Sequence, residues 1–503
     1  MDRDTMEPFV AEYIDWLEPH NKQLFHRLME YSSTLNHKLK ISFLFNAYQP
    51  RCNRLYKIKK EFLKPPENPF FLKLYEKIKS YEIERKETDN LLAIALTDCY
   101  LPLMAIGESF PHVLSIAFPQ VTVDVLKLRY PNWHQTLMQL NRGKIIDLGV
   151  SSYHHSFAPL LDERLLYQEY STALDVYLKS YKNNANDVKD AKSDPIDVSV
   201  HIPECAVSPT LLDVFARLQE NYSVKLITVL DSEYHNEGGA YDIGKVNEIH
   251  YFSKGNKSTL NVLFSNNHFS RKLFSFPPES DPKTVGFWYF TRMFESIAKP
   301  QPYPYWEKLK NGDEIHFVIH TDAETIGFYC QERVYSLYLM LHLMKCFDID
   351  AITLTDAAHI NIVQMNSTRP LLYKTWDMGT SGGMSRWIKN EYDSSTQFFF
   401  ITKEIYPYLL EELVKRENEM TPIERKILWV ARMRYANALT SCPHWWSEPD
   451  SVAGKQFAQD ILETGKQIRK LEKYITPDKK EVLKATERFE SHPFVKRSLK
   501  CQT

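Results

Sequence analysis

The chain opens on a helical repeat. Phe9, Tyr13, Ile14, Leu17, Leu24, Leu28 and Met29 recur at helical spacing among charged residues, which predicts helix across the first forty residues. The pattern then changes to short apolar, β-rich runs separated by long helical or loop segments. These runs are Ile41–Tyr48, Val113–Phe118, Lys144–Val150, Val198–Ile202, Val224–Leu230, Leu260–Phe264 and Asp313–His320. Several are apolar almost without interruption, as expected of strands buried on both faces of a parallel sheet. Their connections are long enough for crossover helices. Seven alternating units predict a closed or nearly closed (β/α)7 barrel of the α/β class. After about residue 400 the pattern is helical again, over Ile405–Asn418, Ile423–Thr440, Val452–Lys473 and Lys479–Glu490. The expected organisation is an N-terminal helical extension (1–40), a barrel with insertions (41–400) and a C-terminal α-helical domain (401–503).

Composition narrows the classes of function. A chain of 503 residues, 43% of them hydrophobic, can bury a full core without disulfides or metals. The 62 basic and 64 acidic residues leave a net charge of −2, which excludes a chain-wide basic field for nucleic acid. Seven cysteines without a close CxxC pair do not form a disulfide framework or a structural zinc site. The start of the sequence is acidic and polar, and the most apolar stretch, Leu91–Gly107, is interrupted by Asp98 and Pro102 and falls short of a membrane span. A reduced, cytoplasmic protein with no nucleic-acid or membrane partner is the expectation.

In a parallel barrel, reactive groups belong at the C-terminal ends of the strands. Four of these ends are conspicuously polar: Asn46 to Pro50, Ser151 to His155, His201 to Cys205 and His320 to Glu324. Glu204 follows a strand and a proline and precedes a helix that begins near Ser208, so its carboxylate belongs at the barrel mouth. Asp322 and Glu324 stand two residues apart and share a side if the strand continues. Two carboxylates in different environments are the minimum equipment for glycoside cleavage. On spacing alone, a strand-end acid is more often a structural cap or ion-pair partner. His154 and His155 are adjacent, so on a strand they point to opposite faces and cannot chelate one ion without a bulge. One of them turned inward would instead contact substrate. No HExxH, P-loop, dinucleotide fingerprint or GxSxG motif is present.

The residue strings add a specific resemblance. His201-Ile202-Pro203-Glu204-Cys205-Ala206-Val207-Ser208-Pro209 resembles the "WLPECAYSP"-like motif of glycoside hydrolase family 57, and Asp322-Ala323-Glu324-Thr325-Ile326-Gly327 its "DxETxG" motif. Tyr48-Gln49-Pro50 lies where the family has His-Gln-Pro. Arg142 to Gly149 and Pro159 to Leu161 are similar to its third-strand segment, and Thr380 to Trp387 and Ser441 to Trp446 to its later motifs. The resemblance covers most of residues 41–450. It implies a (β/α)7 barrel followed by a helical domain, and retaining action on an α-glucan or related oligosaccharide, with neither metal nor organic cofactor.

Residue by residue, the resemblance puts Glu204 on the nucleophile and Asp322 on the general acid/base. A retaining pair has its carboxyls roughly 5–5.5 Å apart. Tyr48, Gln49, His154, His155, His201, Glu324, Trp387 and Trp445 are the expected substrate ligands, the tryptophans as stacking platforms. Tyr48 and Asn46 are poor substitutes for the Asp and His ligands of metal-dependent deacetylases and mannosidases on related folds. The sequence also departs from the family. Tyr48 replaces a histidine, His201 a tryptophan, Phe328 a histidine and Gly382 a histidine. These positions line the sugar site, so the alternative is a carbohydrate-binding or regulatory protein on the same barrel that no longer catalyses.

Overall fold

The apolar runs fold as strands of one sheet that closes on itself. In the computed structural model, which describes residues 7–47, 95–181, 195–231, 246–253, 256–265, 270, 281–298, 304–327, 332–360, 362–366, 405–439 and 452–490, ten strands are present. They are β1 (Leu39–Asn46), β2 (Leu114–Phe118), β3 (Ile146–Val150), β4 (Ile196–Val200), β5 (Val224–Asp231), β6 (Val246–Ser253), β7 (Asn256–Ser265), β8 (Ile315–Asp322), β9 (Asp350–Ala351) and β10 (Ile362–Asn366). The closed ring runs β1-β2-β3-β4-β5-β7-β8 and back to β1, and each of its pairs is parallel. This is the expected (β/α)7 barrel, and its seven strands are the seven expected runs with slightly shifted ends. The sequence pattern missed β6, which pairs antiparallel with β7 outside the ring and carries β10 along its other edge. Its string, VNEIHYFS, mixes Asn, Glu and His among the apolar residues, so no continuous run marks it.

The chain divides into two compact units, residues 1–151, 173–201 and 215–370 in one and 152–172, 202–214 and 371–503 in the other. The first holds the whole barrel. Alternate residues of each strand face its interior. Leu44, Ala117, Ile227, Val229, Leu263 and Val318 pack there against Leu354, Ala357 and Ala358 of a short helical turn. Each Val or Leu so buried stabilises the fold by roughly 1.5–3 kcal/mol. Toward the N-terminal ends of the strands the interior becomes polar. Ser42 Oγ lies 2.8 Å from both His316 Nε2 and the Ile352 carbonyl oxygen. Ser115 donates to Asp147 Oδ2 (2.7 Å) and accepts the Leu354 N–H (2.9 Å). Burial pushes the Asp147 carboxyl up to about 6 and holds the His316 imidazole down at about 3.

The N-terminal helices belong to this same unit. Tyr13, on the Pro8–His20 helix, is fully buried among Phe287, Phe290 and Phe347, and its hydroxyl lies 3.0 Å from Thr291 Oγ1. Asn21 caps the following Lys22–Glu30 helix by accepting the Leu24 N–H. These contacts make the extension part of the core.

The second unit is built on the Tyr406–Lys415, Pro422–Ala438, Val452–Lys470 and Pro477–Glu490 helices, close to the spans read from the sequence. Thr421 and Glu424 form a capping box at the start of the second of these. The fully buried Asp460 accepts from Arg434 Nη1 (2.8 Å) and from Asn437 Nδ2. No helix among the described residues is long and apolar enough to cross a membrane.

The Asp147 carboxyl gives a test of the barrel interior. The unfolded chain releases this proton near 3.8 and the folded protein only near 6. The folded state therefore binds the proton more tightly, and stability falls as the pH rises through that window. Relative to wild type, Asp147→Asn should gain up to about 3 kcal/mol between pH 4 and pH 7. Urea midpoints measured across this range check it, and a pH-independent difference contradicts it.

Candidate active site

Asp322 is the last residue of β8, paired in register with Asn46 at the end of β1. The strand emerges from the core at this end. Ile315 to Ile319 are buried, His320 and Thr321 are partly exposed, and Asp322 reaches solvent. Asn46 Nδ2 donates to Asp322 Oδ1 (3.3 Å), which favours the carboxylate. Although Asp322 meets solvent, crowding by the surrounding protein is the larger effect, and it holds the Asp322 carboxyl above the ordinary carboxylate range. His320 lies one inward position below, its ring centroid 4.9 Å from that of His201, which follows β4. Burial lowers the His320 imidazole to about 4, so it is neutral near pH 7.

The turn after β8 is fixed by a partner from far away in the chain. Residues Ala323–Ile326 form a 3₁₀ turn in which Thr325 Oγ1 donates to the Asp322 carbonyl (2.6 Å). The buried Glu324 accepts from the Tyr100 hydroxyl (2.6 Å), and Cys99 Sγ lies 2.8 Å from the Ala323 carbonyl oxygen. Both partners belong to a single π-helical turn, Leu96–Tyr100, with Pro102 two residues beyond it. Gly327 meets the same turn. A Cβ there would stand 1.9 Å from the Asp98 carbonyl oxygen, so only glycine allows the approach.

Glu204 belongs to the second unit, as do His154 and His155. It sits in the Pro203–Cys205 turn at φ 58°, ψ 17°, and Cys205 follows at φ 48°. Two consecutive left-handed residues, neither of them glycine, cost on the order of 1–3 kcal/mol each. Proline supplies the local cause, because Ile202 before it is held extended. Cys205 N donates to the Ile202 carbonyl and Ala206 N to that of Pro203. Pro203, Cys205, Ala206 and Val207 are buried while Glu204 is half-exposed, so the apolar neighbours anchor a turn that presents the carboxylate. Ser208 then accepts the Leu211 N–H and starts the Pro209–Tyr222 helix.

His154 and His155 lie in the turn after β3, both buried. Glu169 takes His154 in a two-point grip, accepting from Nδ1 (2.7 Å) and from the backbone N–H (2.8 Å), and also accepts from Ser156 Oγ (3.0 Å). Burial alone would raise the Glu169 carboxyl; His154 and Ser156 overcome it and hold it below the ordinary range. Because a carboxylate only accepts, His154 Nδ1 carries a proton. His155 adopts φ 58°, and burial lowers its imidazole to about 3.

The structure thus gathers Asp322, Asn46, His320 and His201 in the barrel unit and Glu204, His154 and His155 in the other. Glu324, expected to touch substrate, has its carboxylate turned to Tyr100. Tyr48, Gln49, Trp387 and Trp445 lie outside the described residues. Sequence reasoning missed Tyr100 and Glu169. The signal for Tyr100 was the break in the Leu91–Gly107 apolar stretch at Asp98 and Pro102. For Glu169 nothing in the helical spacing of its segment set it apart.

No family model matches the chain, and no curated protein matches it by sequence. Solved structures do. A maltose-forming exo-amylase from Pyrococcus sp. ST04 superposes with a TM-score of 0.58 at 12% identity, covering 88% of this chain and 82% of its own. A GH57-type branching enzyme from Pyrococcus horikoshii gives 0.54 at 12% identity, over 92% and 97%. The α-amylase AmyC from Thermotoga maritima gives 0.55 at 13% identity, over 92% and 99%. The chain shares the fold of these enzymes along nearly its whole length, and identities this low carry the fold alone.

The Gly327 contact predicts a clear stability loss. Gly327→Ala must push back either the Asp98 backbone or the turn that carries Asp322, and is expected to cost at least about 2 kcal/mol. A melting temperature unchanged from wild type contradicts this packing.

Proposed function

We propose that the protein is a retaining α-glucan-active glycoside hydrolase or transglycosylase, with Glu204 as nucleophile and Asp322 as general acid/base. The observation that carries this reading is the contrast between the two strand-end carboxyls. Asp322, although its side chain meets solvent, is crowded by protein that raises its carboxyl, the direction a general acid needs. Glu204 stands half-exposed on a strained turn whose neighbours are all buried. The fold shared with amylases and a branching enzyme supports the same class.

In the first displacement Glu204 attacks the anomeric carbon while Asp322 gives its proton to the leaving glycosidic oxygen. The leaving chain departs as an alcohol and a glycosyl ester remains on Glu204. Asp322, now a carboxylate, takes a proton from water or from an acceptor sugar hydroxyl, whose oxygen displaces Glu204 and restores both groups. Asn46, donating to Asp322, stabilises the carboxylate of this second step. The sugar ligand positions differ from those of the resembled family, and His201 packs against His320, where the family has tryptophan. That favours an altered specificity, and as a second reading a protein that binds glucans without cleaving them.

A chromatographic product profile on maltooligosaccharides, amylose and glycogen tests the proposal. Wild type should yield new products, longer chains reporting transfer and only shorter ones hydrolysis. Asp322→Asn should slow product formation about 10²–10⁴-fold, and Glu204→Gln should abolish it. Full activity in either variant overturns its assigned role. Binding of these glucans without any turnover establishes the second reading.

A further inference from the structure

At the start of the N-terminal helix, three side chains bring one metal-ligating atom each to a common point. His342 and Cys346 stand four residues apart on the Glu332–Cys346 helix and so share one face. Glu7, the residue before the Pro8–His20 helix, reaches that face from more than three hundred residues away. Its Oε2 lies 2.5 Å from His342 Nε2 and 3.8 Å from Cys346 Sγ, and the three ligand atoms lie within 4.8 Å of one another. Tetrahedral coordination with bonds of 2.0–2.3 Å sets such atoms roughly 3.3–3.6 Å apart. The His342–Glu7 contact must open for a metal to take the place of the proton these groups share.

The supports of these ligands are rigid. Phe9 packs its ring on His342 (5.6 Å between centroids) and on Phe287 (5.2 Å), and Tyr13 is buried one turn further along. The ligands are therefore held by packed helices. His342 and Cys346 are partly exposed and Glu7 is exposed, so an ion has access. A thiolate, an imidazole and a carboxylate form a donor set for a borderline-soft divalent ion, with water as fourth ligand. None of the three belongs to the machinery proposed above.

We propose that Glu7, His342 and Cys346 bind a divalent transition metal of the zinc class, which staples the N-terminal helix to the Glu332–Cys346 helix. Binding releases the thiol proton of Cys346 and the proton between His342 and Glu7 to solvent, leaving thiolate, neutral imidazole and carboxylate on the metal.

The test uses the full chain and Co²⁺ as a spectroscopic probe. Stoichiometric binding with a near-ultraviolet thiolate-to-cobalt band, displaced by Zn²⁺, is expected. Cys346→Ser should lose the band, and His342→Ala should weaken Zn²⁺ binding at least about 100-fold. Circular dichroism confirms that these surface variants remain folded. Zn²⁺ should also slow amide exchange in residues 8–20 of wild type and not of Cys346→Ser. Absence of stoichiometric Co²⁺ binding, or a thiolate band that persists in Cys346→Ser, overturns the proposal and leaves a Glu7–His342 ion pair.

Discussion

The register between β1 and β8 is the constraint on which the barrel's chemistry depends. Eight residues of each strand pair in parallel, from Leu39 opposite Ile315 to Asn46 opposite Asp322. A slip of one residue would turn the inward set of either strand outward. Val318 and His320 would turn out of the interior, Asp322 would turn with them, and the hydrophobic layer that holds the register would be lost. The layer of Leu44, Ala117, Val229, Leu263 and Val318 thus fixes where Asp322 stands. Burial of apolar surface several ångströms below the strand ends sets the position of a titratable group above it.

The ends of the strands are also where local preference yields to context. Glu204 and Cys205 both adopt left-handed backbone that neither favours, and His155 does the same after β3. Such strain persists only where the surroundings over-determine it. The surroundings are visible in each case. Buried Pro203, Ala206 and Val207 flank Glu204, and Glu169 grips His154 beside His155. The Asp322 turn is held without strain of this kind, by Tyr100 on Glu324 and by a glycine that lets two backbones touch. Carboxyls thus stand at strand ends in two ways, one on a strained turn and one on a clamped one.

The barrel was legible because its strands are apolar on both faces, so Ile41 to Phe45 or Leu226 to Leu230 stand out against their flanks. β6 was not, since Asn247, Glu248 and His250 interrupt its string, and a strand outside the closed ring needs no continuous apolar run. Strand-end polar residues such as Asp322 and Glu204 could be singled out because a parallel barrel gives them a position. Tyr100 and Glu169 could not. Each acts through a contact that only the fold creates, 224 residues away for Tyr100 and across a turn and a helix for Glu169. The apolar pattern of the first helices was clear, but that Tyr13 would be buried against the Pro282–Ala298 helix depends on packing no spacing rule encodes.

The account turns on Glu204 forming a covalent bond to sugar, and intact-mass spectrometry measures that directly. The protein would be incubated with a fluorinated α-maltosyl fluoride, which forms a glycosyl-enzyme faster than the ester is hydrolysed. The account predicts a mass increase of one glycosyl unit, mapped by peptide sequencing to Glu204 and absent from Glu204→Gln. An adduct on another residue, or release of fluoride with turnover and no accumulated adduct on Glu204, contradicts it.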